Sequence, residues 1–452
     1  SMKKNKKTMK NLLLPLMALG LMNFFLQSCK EDDECEGVAC SANQTCEDGT
    51  CVDVSENELV QGFISQDVTW TADKVYELSG RVVVRSGATL SIEAGTLIKG
   101  QEGTGSSASV LIVERGAMID AQGTATSPII FTSQSDNIKP GEIAGSNLDE
   151  TVNELWGGLI ILGNAPVSTE DGDVLGQVEG IPSNETYGQY GGSDANDNSG
   201  TLTYVSIRHG GITIGDGNEI NGLTLGGVGA GTTIDHIEIV ANLDDGVEFF
   251  GGTVNASNII VIYQGDDGID IDQNYSGTID NVIVISGDGI GTDEALEIDG
   301  PENSTYTTGL FTIRNGSFIN EGTSGSAGDL KSKAQGTIEN CTFEGFTSGL
   351  KIRASFSDTT LCTEKEDSYA HLSAASPSLI VRNNQFGTNS TLADYVNVYS
   401  GSCTDCSCPS GVEGNSDNII AADGNTAAAS VSGGAVRSEF SNWTWAAERG
   451  KL

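Results

Sequence analysis

The chain has 452 residues, and its 62 Asp or Glu against 23 Lys or Arg give a formal net charge of −39. That balance excludes a protein that grips nucleic-acid phosphates with a basic face, and three His beside ten Cys argue against a zinc enzyme. The 59 Gly follow no Gly-X-Y period, which excludes collagen and leaves a chain rich in turns.

Residues 1–28 read as a lipoprotein signal peptide. Lys3, Lys4, Lys6, Lys7 and Lys10 precede an apolar stretch from Leu12 to Leu26 that Pro15 interrupts. It falls short of the roughly 20 apolar residues that span a bilayer. It ends in Leu26-Gln27-Ser28-Cys29, which resembles a bacterial lipobox and implies a lipid-modified Cys29 as the first mature residue. Cleavage there removes five lysines and no acid, leaving 18 − 62 = −44. Residues 29–34 form an acidic tether, with Lys30-Glu31-Asp32-Asp33-Glu34 after the cysteine. The tether is similar to the short tag that sends Bacteroidetes lipoproteins to the outer face of the outer membrane. The expected location is therefore the outer membrane, lipid-anchored and facing the cell exterior, with the acyl anchor at Cys29 as the membrane contact.

Residues 35–53 hold Cys35, Cys40, Cys46 and Cys51 in "CEGVACSANQTCEDGTC". They read as a small disulfide-rich, EGF-like module, and four cysteines allow three pairings among which spacing does not choose. A metal knuckle is the alternative; the surface address and the Asp48-Gly49 turn favour disulfides and a stiff spacer. Cys362, Cys403, Cys406 and Cys408 mark a second disulfide-bonded cluster in an insert near 360–410. Cys341, within an alternating apolar run, reads as a buried free thiol.

From residue 60 to 452 the chain repeats itself. "VVVRSGATLSIEAGTLIKG" is echoed by "LIVERGAMIDAQG", setting Gly87 against Gly116 and Ala88 against Ala117. Later, Gly231-Thr232, Gly252-Thr253, Gly277-Thr278 and Gly336-Thr337 each open a β-branched run: "TIDHIEIV", "NIIVIYQG", "TIDNVIVISG", "TIENCTFEGF". Short strands with turn glycines at this period predict an all-β solenoid, a parallel β-helix, rather than a sandwich or a propeller.

Aligning "DDGVEFFGG", "DDGIDIDQN", "DEALEIDGP", "GDLKSKAQ" and "SGLKIRAS" gives inward columns Val247, Ile269, Leu296, Leu330, Leu350 and Phe249, Ile271, Ile298, Ser332, Ile352. The outward columns are then Glu248, Asp270, Glu297, Lys331, Lys351 and Phe250, Asp272, Asp299, Lys333, Arg353. Like charges about 4.8 Å apart repel by about 0.9 kcal/mol even in water. Asp244, Asp245, Asp266, Asp267, Asp270 and Asp272 are therefore the candidate metal ligands, and hard oxygen donors select Ca²⁺. Asp at turns also serves the backbone alone. A third reading is catalytic: a calcium-assisted polysaccharide lyase or hydrolase acting on an acidic polysaccharide, with Lys331, Lys333, Lys351 or Arg353 as the base. Trp156, Trp443 and Trp445 read as loop anchors or end plugs rather than sugar platforms, and His209, His236 and His371 are scattered.

"WGGLIILGNAPV", "TLTYVSIRHGG", "EINGLTLGGVGAGTTIDHIEIVANLDDGVEFFGGTVN" and "NWTWAAERGKL" resemble a family of Bacteroidetes surface lipoproteins with a right-handed parallel β-helix. The resemblance implies an outer-membrane or extracellular solenoid and transfers no catalytic residue. The expected function is a cell-surface binding or scaffold module for a glycan or another outer-membrane protein, stabilised by calcium, without nucleic acid.

Overall fold

The computed structural model describes residues 44–47, 50–53, 56–215, 218–287, 292–358, 363–399 and 419–452. Cys29, the acidic tether, Cys35, Cys40, Cys362, Cys403, Cys406 and Cys408 lie outside them. The chain divides into units 1–54 and 55–452. In the first, Gln44–Glu47 and Thr50–Asp53 form an antiparallel hairpin that sets Cys46 opposite Cys51.

The second unit is a parallel β-helix. The echo between Gly87 and Gly116 is one turn of it: Val82 pairs with Leu111, Val84 with Val113 and Thr89 with Met118. Three ladders run its length. The first face stacks Val110–Val113, Leu159–Leu162, Leu223–Gly226, Val247–Phe250, Ile269–Asp272, Leu296–Ile298, Ser326–Leu330, Ser348–Arg353 and Val396–Tyr399. The longer strands, such as Thr233–Val240, Asn255–Ile262 and Thr278–Ser286, each supply both other faces by bending once. The bend is one left-handed residue: Tyr204, His236, Asn258, Asn281 or Asn315. Asparagine tolerates that conformation better than most side chains. Asn281 Nδ2 donates to Asn258 Oδ1 (2.6 Å), and Asn258 Nδ2 to Asp235 Oδ1 (2.7 Å), so the corner also carries its own polar ladder.

Alternation sends one set of side chains inward, where like stacks on like. Phe318, Phe343 and Phe386 form a column with ring centroids 4.8 and 5.1 Å apart. Cys341 is a buried free thiol beside it. The outward apolar residues are covered instead. After Thr426–Ala428, residues 435–452 turn back over the third face, where Phe440, Trp443 and Trp445 pack on Ile260, Ile262, Ile283 and Ile285. Trp156 is also buried, its Nε1 donating to Arg208 O at 2.7 Å. All three tryptophans are therefore anchors with no ring face available to a sugar. No helix among the described residues is long and apolar enough to cross a membrane.

Candidate functional site: an acid-lined cleft on the first face

Backbone pairing fixes one outward column on the first face as Val83, Ile112, Ile160, Thr224, Glu248, Asp270, Glu297, Asp329 and Lys351. Its character changes along the axis from apolar to acidic to basic. The apolar part is roofed. Segments 163–199, 210–215 and 218–222 leave the solenoid and lay Val178, Ile181, Tyr187, Tyr190, Ile212, Ile214 and Ile220 on Val83, Ile112 and Ile160. Arg81 ties the roof down through Tyr187 Oη (3.1 Å) and Gly180 O (3.2 Å), and Arg115 through Gly191 O (2.9 Å). Gly226 is bare because a Cβ there would meet the Tyr190 ring at 2.8 Å. Where the roof ends, the carboxylates begin.

This column corrects the sequence alignment at its fourth coil. Asp329, not Lys331, follows Glu297, and Leu330 pairs with Ile298 rather than with Leu296. The inward position opposite Leu350 belongs to Gly328. A glycine leaves no apolar mark, so the pattern slid by two residues. Ser332 and Lys333, aligned as strand, have positive φ (47° and 66°) and form a turn.

A cleft of about 250 Å³ lies at the edge of the roof, lined by Ile160, Val178, Glu179, Glu219, Ile220, Asn221, Thr224, Asp244, Asp245, Glu248, Phe250 and Asp272. Two carboxylate clusters adjoin it, Asp244/Asp245/Asp266 and Asp245/Glu248/Asp270. In each, one oxygen per residue lies within 4.8 Å of the others. A third cluster, Asp267/Glu294/Glu297, has the same spacing. Of the six predicted ligands, five therefore fall in clusters. Asp272 stands on the cleft wall, its Oδ1 accepting from Gln273 N–H (2.8 Å). Glu294 and Asn221 were missed. The first has no alternation to flag it, and the second is brought in by the roof from a distant stretch of chain.

The turn carboxylates also serve the backbone. Asp245 Oδ1 accepts from Asp267 N–H (2.9 Å) and Asp267 Oδ1 from Glu294 N–H (2.8 Å), one coil handing on to the next. The clusters differ in what neutralises them. In the third, Lys351 pairs with Glu294 (2.6 Å) and Lys331 with Glu297. The residues of the first two make no ion pair with any Lys, Arg or His among the described residues. Burial, and then the charges of neighbouring acids, pushes the carboxyls up: Asp244 to about 6 and Asp267 to about 9, with Asp245, Glu248 and Asp270 well above the usual range. Nearby, burial and then the charge of Asp272 lift Asp299 and Glu302 to about 7. Oxygen clusters of this density have the donor set to hold a metal ion.

The four candidate bases are engaged elsewhere. Lys331 and Lys351 are paired as above, Arg353 Nε donates to Asp329 Oδ1 (2.8 Å), and Lys333 Nζ donates to Glu302 O (3.3 Å). None lines the cleft. Burial opposes it, yet Glu294 holds the Lys351 ammonium above the usual lysine range. The histidines are dispersed: His209 Nδ1 lies 2.6 Å from Val152 O, His236 sits at a corner between Asp235 and Glu439, and His371 faces Ala334 O and Glu366.

A family model described as a pectate-lyase-like β-helix domain matches residues 62–375, and the chain belongs to that family. No curated protein matches it. Among solved structures it is similar to an alginate lyase from Paenibacillus sp. str. FPU-7, at 14% identity over 74% of this chain and 92% of the other, with a TM-score of 0.31. It is also similar to the enzymatically active domain of bacteriophage CBA120 tailspike protein 2, at 13% identity over 72% of this chain and 43% of the other, TM-score 0.22. At those scores neither likeness bears on the chemistry of this chain.

Proposed function

We propose that the protein is a surface-displayed β-helix that binds a glycan at the acid-lined cleft, with Ca²⁺ held by the cluster of Asp244, Asp245 and Asp266. The observation that carries this reading is the pair of carboxylate clusters that meet at Asp245 beside an open cleft and lack a basic partner. Carboxylates from two stacked turns form a flexible, all-oxygen shell, which suits Ca²⁺ better than the strict octahedron of Mg²⁺. The family's description supports a carbohydrate as the ligand class, and a rigid solenoid face is suited to a polymer. A lyase is the weaker reading: elimination needs an unprotonated base at the reacting carbon, and the four candidate bases are held in ion pairs or on a carbonyl away from the cleft. The Leu26-Gln27-Ser28-Cys29 motif supports lipid anchoring on the outer membrane, with the cleft offered to the exterior.

Titration calorimetry against a polysaccharide panel tests the binding role. Binding is expected in Ca²⁺, lost in chelator and lost in Asp245→Asn. Chain scission, or binding indifferent to both chelator and the variant, would sink it. For the anchor, Cys29→Ala is expected to leave the membrane fraction; a variant still membrane-bound and protease-accessible on cells contradicts the lipobox.

A further inference from the structure

We infer that the glycan bound in this cleft carries primary ammonium groups, as an amino-sugar polymer with unacetylated amines does, and that one ammonium sits among Asp245, Glu248 and Asp270. The inference rests on the preceding reading for the cleft as a glycan site and names the substrate class.

The first support is the sign of the wall. Among the described residues six carboxyl side chains line the cleft, Glu179, Glu219, Asp244, Asp245, Glu248 and Asp272, and no Lys, Arg or His does. A single divalent ion at Asp244, Asp245 and Asp266 leaves Glu248 and the far wall with no cation beside them among the described residues. A uronate would set its own carboxylate against that wall, whereas an ammonium is drawn to it.

The second is geometry. An ammonium directs three N–H donors tetrahedrally, each to an oxygen about 2.8 Å away, so its acceptors stand about 4.6 Å from one another. The oxygens of Asp245, Glu248 and Asp270 all lie within 4.8 Å of one another, a bound that admits such a set of three acceptors. Asp245 is 7% exposed and Glu248 9%, so this is a pocket floor rather than an open surface.

The third is an unmet acceptor. Asn221 is 6% exposed and lines the cleft. Its Nδ2 donates to Glu248 and to Thr224 Oγ1 (3.2 Å), while its Oδ1 is buried without a hydrogen-bond partner among the described residues. Such an oxygen is costly unless a ligand brings a donor, and a sugar hydroxyl next to the amine supplies one. Ile160, Val178, Ile220 and Phe250 give the C–H face of a pyranose ring an apolar wall.

Calorimetry on the full chain tests this with four probes: a glucosamine oligomer, its fully N-acetylated counterpart, an oligogalacturonate, and spermine. The glucosamine oligomer is expected to bind at least tenfold more tightly than the other three, and to lose tenfold or more in Glu248→Gln and in Asp270→Asn. Unchanged circular dichroism of either variant at the temperature of the titration shows that the loss is not unfolding. Equal binding of the acetylated oligomer, preference for the oligogalacturonate, or spermine binding as tightly as the sugar each overturns the inference. If a neutral or acidic glycan binds in a Ca²⁺-dependent, Asp245-dependent way, the proposed function stands and this inference falls; if no glycan binds, both fall.

Discussion

In chelator, the melting temperature is expected to fall steadily as pH rises from about 4 to 9. The ordinary values for Asp and Glu are 3.8 and 4.5. In the folded chain burial and neighbouring acids lift Asp244 to about 6, Asp299 and Glu302 to about 7, and Asp267 to about 9. Across that window the native state holds protons that the unfolded chain has released. Stability is therefore greatest near the unfolded values and is lost as pH rises through the folded ones. With four or more such groups the loss is on the order of several kcal/mol. A divalent ion takes over from the protons. At a free Ca²⁺ concentration a hundredfold above its dissociation constant, about 2.7 kcal/mol returns, and the curve flattens above pH 6. Mg²⁺ should do much less. NaCl at matched ionic strength should not substitute, because screening acts weakly on buried charges. Asp266→Asn with Asp270→Asn is expected to remove the Ca²⁺ response and make the slope shallower. A melting curve flat with pH in chelator, or shifted equally by NaCl, would leave the acids as a solvated face.

The second large effect is expected at Glu238, far from the cleft. Its side chain is 0% exposed and its Oε2 accepts from Ser206 Oγ (2.6 Å) and Trp445 N–H (2.9 Å), its Oε1 from Ala446 N–H (2.9 Å). Arg208, also 0% exposed, faces it with Nη2 at 3.6 Å. This one carboxylate joins two coils to the C-terminal segment and balances a buried guanidinium. Glu238→Ala leaves that charge unpaired and two backbone N–H groups unmet, a loss of about 3–5 kcal/mol. Hydrogen exchange at Trp445 and Ala446 should accelerate, and tryptophan emission should shift to the red. Glu238→Gln keeps an acceptor and should lose less. Arg208→Met combined with Glu238→Leu should recover part of the deficit, since it removes the stranded charge. An alanine variant as stable as the parent contradicts this role for the C-terminal segment.

The solenoid was legible because period and alternation survive in the sequence. Val247, Ile269 and Leu296 align as written, and so do Glu248, Asp270 and Glu297. The next coil was not legible, because Gly328 occupies an inward position with no side chain to signal it. That slip hid Asp329 and gave its place in the column to Lys331, while Lys351 on the following coil was placed correctly. The bent strands were hidden too: "TIDHIEIV" reads as one alternating run, and only the positive φ at His236 turns it onto a second face. The acids were legible as residues, the cleft was not. Its other wall, Val178, Glu179, Glu219, Ile220 and Asn221, comes from the roof. The roof's position depends on Tyr187, Tyr190 and Arg81 meeting a face built elsewhere in the chain. Outward isoleucines were likewise ambiguous until the C-terminal tryptophans were found on top of them.

The most direct measurement is a terbium luminescence titration of the intact chain beside Asp245→Asn, since Asp245 is the residue common to the two unpaired clusters. Saturable sensitised emission is expected in the parent, displaced by Ca²⁺ and resistant to Mg²⁺, and reduced at least tenfold in affinity in the variant. Non-saturable emission, or an identical titration of parent and variant, would contradict a cation site at the floor of the cleft.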